Sequence, residues 1–295
     1  SGPIIVPLRK AVRMDDTRAP TEGTDRVAEY VHAETLDAVS EEVDTEVRRR
    51  VIDTLAVTTA GFQFEEMDTY REFAGTTFVD GDVTLLDGSG ESLNGPGATL
   101  VNNLAANVLD LDDGNRLSEG HPAAVVLPAT LGAVEASGGT VGDFLDGFLA
   151  AYEVAVRTAL AIHEWTGMYN GSGSWGSVAV AGAVSRIEDL EPDQTGHALG
   201  IAEFNAPITP VMRSVVNPSS SMTKDGIGWG GYVGYTAARL AQQGITGSGT
   251  VYDEMDHSSL DPSLLETLGD RYHILESYYK PYPACRWIHS GIDAV

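Results

Sequence analysis

Between Asn107 and Pro122 the chain reads NVLDLDDGNRLSEGHP, and this stretch constrains the fold more than any other. Three carboxylates, Asp110, Asp112 and Asp113, fall within four positions, and a short polar loop leads from them to His121-Pro122. Apolar runs lie on either side, Ala98–Val108 before and Ala123–Ala136 after. Runs of that kind read as core, so the acidic cluster lies between two buried-looking segments and resembles a solvated face less than a built turn. A turn of this composition, held by packed elements on both sides, resembles a catalytic or ligand-binding turn.

The remaining text is mostly helical. Residues 1–23 form a Pro- and Asp-punctuated arm. Thr24 can cap a helix through about Leu36, and Thr45 another through Gly61. Val79–Pro96 is short and Gly-rich and suits a strand or hairpin. Asn102–Asp110 and Ala123–Ala136 continue as helices around the acidic turn. Val141–Glu164 is the most periodic segment, with Phe144, Leu145, Phe148, Leu149, Tyr152, Val156 and Leu160 on one face. Glu153 and Arg157 stand at i, i+4 within it, as a surface pair or a buried structural one. Ser177–Ile187, Asp193–Phe204 and Gly226–Gln243 complete the helices, and strand-like text returns only at Tyr272–Glu276. The early glycines of Gly226–Gln243 each cost about 1 kcal/mol against alanine, so something packs tightly on that face.

Charge narrows the function. Forty-three acids against eighteen bases give a formal net charge of -25, with the acids dispersed along the chain. The far field repels phosphate, which argues against nucleic acid or an anionic membrane as a partner. Dispersed acidity with only three lysines (Lys10, Lys224 and Lys280) suits a halophile's cytoplasm, where salt screens self-repulsion. The single cysteine, Cys285, supplies neither a disulfide framework nor the thiolates of an iron–sulfur cluster. No window spans a bilayer, and the start lacks a secretory pattern.

Two GxGxxG matches, Gly171–Gly176 and Gly226–Gly231, lack the preceding buried strand of a dinucleotide site and read as Gly-rich helix entries. The acidic turn offers oxygen ligands to a divalent cation but lacks the spacing of a known calcium loop. Lys224 and Lys280 sit in Gly- or aromatic-rich surroundings. Lysines retained in a chain that has discarded nearly all others suggest anion binding or catalysis, with pairing to local acids such as Asp225 as the plain alternative.

In combination these landmarks resemble the MmgE/PrpD family, which includes 2-methylcitrate dehydratase and cis-aconitate decarboxylase. The matching text is the Asn-containing helix into Asp110-Leu-Asp112-Asp113, His121-Pro122, Pro128-Ala, GFLAAYEVAVR and GSVAVAGAVSRI. It continues with Lys224 before a Gly-rich helix ending AARLAQQGITG, and with Lys280-Pro-Tyr-Pro-Ala-Cys285 and His289. The resemblance covers about residues 25–295. It implies a mainly α fold: a large helical domain at 24–268, with the family's smaller α/β domain begun only at 269–295 or missing. It also implies a homodimer acting on a small tricarboxylate without metal or cofactor.

Carried over by position, Asp110, His121, Lys224 and Lys280 are expected to be catalytic, and Asp113, Asn170, Cys285 and His289 to contact substrate. Three departures stand out. Gly114 replaces the usual threonine, a usual histidine is missing near Tyr169-Asn170, and Cys285 stands where some members place a histidine. The expected activity is dehydration of 2-methylcitrate, with His121 and Asp110 as the acid/base pair. Cis-aconitate decarboxylation, an epimerase-type proton transfer and a non-catalytic carboxylate-binding homologue remain as alternatives.

Overall fold

The computed structural model describes residues 22–208, 211, 224–253 and 260–295. The expected N-terminal arm, apart from its last two residues, lies outside them. The fold is mainly helical. In chain order the helices are α1 (Glu22–Ala33), α2 (Glu41–Gly61), α3 (Glu65–Thr77), α4 (Gly95–Val108), α5 (Pro122–Ser137), α6 (Val141–Thr166), α7 (Ser172–Ile187), α8 (Pro192–Asn205) and α9 (Ile227–Gln242). The short α10 (Ser263–Glu266) and α11 (His289–Asp293) follow. A hairpin of β1 (Val83–Thr84) and β2 (Ser92–Leu93) precedes α4, as the Gly-rich text suggests. Among the described residues no helix is long and apolar enough to cross a membrane.

The centre of the bundle is α7, buried from Ser172 to Ser185 and packed against α5, α6, α8 and α9. The periodic face of α6 lies in the same core, with Phe148, Leu149 and Tyr152 fully enclosed. The two GxGxxG segments turn out to pack on each other. A Cβ at Gly173 would lie 2.0 Å from the Gly226 carbonyl oxygen, and one at Gly230 would lie 2.3 Å from that of Gly173. Main chain cannot yield as a side chain can, so these glycines are what allow α7 and α9 to meet.

Several boundaries differ from the sequence reading. Helix α2 starts at Glu41 because the Ser40 hydroxyl accepts the Val43 N–H at 3.4 Å. Thr24 lies inside α1, where its hydroxyl pairs with Thr250 at 2.8 Å. Helix α7 begins five residues before Ser177, because its Gly-rich first turn is supported by α9. Helix α3, with only Met67 and Ala74 buried, gave no clear periodic signal. The strand-like text at Tyr272–Glu276 is a 3-10 turn at His273–Glu276, and only Ser277–Tyr278 forms a strand, β4. It pairs antiparallel with β3 (Gly114–Asn115), in the register Gly114↔Tyr278 and Asn115↔Ser277, which joins the acidic turn to the segment carrying Lys280.

That late segment is held by the Glu153–Arg157 pair, which is buried. Arg157 donates to the carbonyls of Leu264 at 2.9 Å, Thr267 at 3.1 Å and Arg271 at 2.8 Å. Glu153 accepts the N–H groups of His273 and Ile274, each at 2.9 Å. Glu153→Ala would leave a buried guanidinium without its counter-charge. The expected loss is about 3–5 kcal/mol in denaturant unfolding, with faster amide exchange at His273 and Ile274.

Candidate active site

The acidic turn, the start of α5, the residues before α9 and the segment after β4 enclose one cavity of about 290 Å³. Its lining includes Asp110, Glu119, His121, Tyr169, Lys224, Asp225, Tyr278, Lys280, Cys285 and Arg286. The volume lies near the lower end of the range of about 300–1,000 Å³ for ligand pockets, the size for a small metabolite. Backbone strain marks the same place. Among the described residues four non-glycines have left-handed φ: Asp110 (53°), Glu119 (52°), Asp189 (55°) and Asp225 (47°). Three of them line this cavity. Such conformations persist only where surrounding contacts enforce them, and they cluster at functional sites.

Two ammonium groups converge on Asp110. Lys224 Nζ lies 2.8 Å from its Oδ1, and Lys280 Nζ contacts the same atom and donates to the Asp110 carbonyl at 3.0 Å. Both are 3.9 Å from Oδ1 of Asp112, a buried oxygen with no hydrogen-bond partner. Burial alone would raise the pKa of Asp110, but the two lysines outweigh it and hold the carboxyl at about 2. Desolvation works against the charged form of Lys224, yet Asp112, Asp110 and Asp225 more than compensate, and its pKa lies above the ordinary lysine value.

His121 stands at the entry to α5, where its N–H donates to Ser172 Oγ at 3.0 Å. Its Nδ1 is 2.6 Å from the Asp113 carbonyl and 3.2 Å from Asp112 Oδ2. Both neighbours can only accept, which places the hydrogen on Nδ1. Nε2 lies 3.6 Å from Asp225 Oδ2, too far for a hydrogen bond, and in the neutral ring it is the free basic nitrogen at the cavity.

One oxygen each of Asp110 and Asp112 and one ring nitrogen of His121 lie within 4.8 Å of one another, a donor set that could hold a metal ion. Two ammonium groups already face Asp110 Oδ1, so a cation using that oxygen would have to displace both.

Of the eight residues expected from the sequence, Asp110, His121, Lys224, Lys280 and Cys285 line the cavity. The other three have local structural partners and do not. Asp113 is fully buried and accepts the Ala123 and Ala124 N–H groups at 3.2 and 3.3 Å, so it caps the start of α5. Burial holds its carboxyl above the usual range, with Arg50 and His121 opposing. Asn170 ties off the end of α6 by donating to Thr166 Oγ1 at 3.2 Å and the Met168 carbonyl at 3.0 Å, and the neighbouring Tyr169 faces the cavity instead. A ring nitrogen of His289 lies 2.9 Å from the Ala284 carbonyl, and the ring packs on Tyr282.

Sequence reasoning placed Asp112 in the turn and Asp225 beside Lys224 without giving either a site role. It passed over Glu119, Tyr278 and Arg286. The run Tyr-Tyr-Lys-Pro-Tyr-Pro-Ala-Cys-Arg-Trp carried the signal for the last two, since bases and aromatics there flank one of the few lysines.

Fold and cavity together define a mainly helical domain with a charge-paired polar site. The family model described as the MmgE/PrpD N-terminal domain matches residues 25–257. The chain belongs to the MmgE/PrpD family, a dehydratase and lyase type of family that includes 2-methylcitrate dehydratase. No curated protein matches the sequence.

The folded pKa of Asp110, about 2, lies below the ~3.9 of an unfolded aspartate. Its pairing therefore adds stability that is complete above about pH 4 and is lost as pH falls toward 2. Thermal unfolding from pH 2 to 5 should be less steeply acid-sensitive in Asp110→Asn, with a loss of about 2 kcal/mol at pH 7.

Proposed function

We propose that this protein is a metal-independent lyase that removes water from a small hydroxy-tricarboxylate, with 2-methylcitrate as its substrate. One observation carries the reading: the free Nε2 of His121 shares a small cavity with two lysine ammonium groups. Elimination beside a carboxylate needs a base for the carbon-bound proton and fixed positive charge for the negative charge that develops on the carboxylate. The lysines supply the charge.

The depressed pKa of Asp110 makes it a poor base, which favours His121 as the proton acceptor. Asp110 then serves to hold both lysines in place. In the reaction the C–H bond breaks to His121 Nε2 and its electron pair forms the carbon–carbon double bond. The neighbouring C–O bond breaks, and the hydroxyl takes a proton from the imidazolium and leaves as water. An imidazole is the side chain suited to taking and returning a proton near neutrality.

Proton NMR of the full-length protein with 2-methylcitrate, in molar KCl with chelator, should develop a vinylic methyl signal. His121→Gln should lower kcat by about 10²–10⁴-fold. Lys224→Ala should lower it by at least about 100-fold with its circular dichroism unchanged. Itaconate formed from cis-aconitate would replace the dehydratase with a decarboxylase. A folded protein silent with both substrates would refute the tricarboxylate reading.

A further inference from the structure

Arg286 is the third cationic side chain of the cavity, and its circumstances differ from those of the lysines. Both ammonium groups are committed to Asp110, whereas among the described residues no carboxylate lies within ion-pairing distance of Arg286. Glu119 lines the same cavity without pairing to it. In a chain with 43 acids and 18 bases, a half-buried guanidinium at the cavity wall, with no carboxylate of the described residues in ion-pairing range, is positive charge available to an anion.

Its position is also built. The guanidinium lies 5.3 Å from the centre of the Tyr278 ring, a cation–π distance, with the Arg116 guanidinium 6.0 Å from the same ring. Tyr278 is fixed in turn by its β pairing with Gly114, against which the ring lies. A Cβ on Gly114 would come within 2.0 Å of a ring carbon. The glycine that stands where the resemblance leads one to expect threonine is therefore the residue that admits the tyrosine. Gly114 and Tyr278 thus form a platform on which the Arg286 side chain sits at the cavity wall.

We infer that Arg286 anchors one carboxylate of the ligand, separately from the carboxylate that the Lys224–Lys280 pair receives, and that Tyr278 and Gly114 position it. The inference rests on the carboxylate reading of the same site and deepens it to a substrate with at least two carboxylates held at two cationic subsites. A guanidinium binds a carboxylate through two parallel N–H donors, which a lysine in its place could not reproduce.

The test is isothermal titration calorimetry of the full-length protein, at one fixed salt concentration, with tricarballylate, glutarate and methylsuccinate. These non-reacting acids carry three, two and two carboxylates. Arg286→Met should weaken tricarballylate binding at least tenfold, and Arg286→Lys should recover only part of it. For at least one of the dicarboxylates the loss should be much smaller, because the carboxylate that the arginine holds is absent from it. Tyr278→Leu should weaken tricarballylate in the same direction by misplacing the guanidinium, and should have little further effect in the Arg286→Met background.

Arg286→Met binding tricarballylate within twofold of wild type would overturn the anchor. Equal losses for all three ligands would also overturn it, since that is the signature of a diffuse field. A wild-type protein that binds none of the three would overturn the carboxylate reading and the anchor together.

Discussion

Backbone meets backbone where α7 crosses α9, and much of the site geometry follows from that contact. Gly173 approaches Gly226 and Gly230 so closely that no Cβ fits at either Gly173 or Gly230. At this separation the Gly173 N–H can donate to the Asp225 carbonyl at 2.9 Å, which fixes the residues leading into α9, Lys224 among them. The preceding residue, Ser172, accepts the backbone N–H of His121 at 3.0 Å. One glycine crossing therefore sets the proposed base and one of its lysines relative to each other. The second lysine arrives by a different route, through the pairing of β3 with β4 and the buried Arg50, which donates to Ser277 Oγ at 2.8 Å.

Electrostatics explains why so acidic a turn is tolerated in the interior. Asp113 is satisfied by the first N–H groups of α5, where the helix dipole also favours a negative charge. Asp112 takes the Asn107 amide at 2.7 Å through Oδ2. Asp110, the outermost, carries the two ammonium groups. The nearest partners thus differ: helix N–H groups for Asp113, a side-chain amide and the His121 ring for Asp112, and two ammonium groups for Asp110. Of the three, only Asp110 lines the cavity. That gradation sets the one carboxylate at the cavity apart from the two enclosed by the fold.

Much of this was legible in the sequence, and the failures share a physical pattern. The face of α6 could be read because Phe148, Leu149 and Tyr152 repeat at helical spacing and are all buried. The beginning of α7 could not, since Ser-Gly-Ser-Trp-Gly has poor intrinsic propensity and is made helical by a neighbour distant in sequence. Tyr272–Glu276 reads as strand from its aromatic and β-branched residues, but Glu153 takes the His273 and Ile274 N–H groups and winds the segment into a 3-10 turn. In the site, rarity singled out Lys224 and Lys280, and the acidic turn between two apolar runs singled out Asp110 and His121, with the resemblance adding their expected roles. Tyr278 and Arg286 reach the cavity only through the β3–β4 pairing, for which two-residue strands leave no periodic trace. The early helical glycines, an expense by propensity alone, were the correct clue to close packing.

A net charge of -25 makes the proposed trianionic substrate an improbable visitor unless the site offers more than attraction. At 1 M salt the screening length would be about 3 Å, which would remove most of the long-range repulsion. What remains is local desolvation, and here the Asp110–lysine contact matters. Lys280 is already withdrawn from water, its side chain only 2 % exposed, and its Nζ is in contact with Asp110. A substrate carboxylate entering the cavity would exchange with Asp110 at an ammonium group that folding has already desolvated, so binding need not repeat that step. Both ammonium groups meet at one oxygen of Asp110, so a ligand carboxylate placed there would face the same pair. On the proposed function, the acidic turn and its lysines would act as a preorganised ion-exchange site, in which the protein's own carboxylate keeps the place of the ligand's.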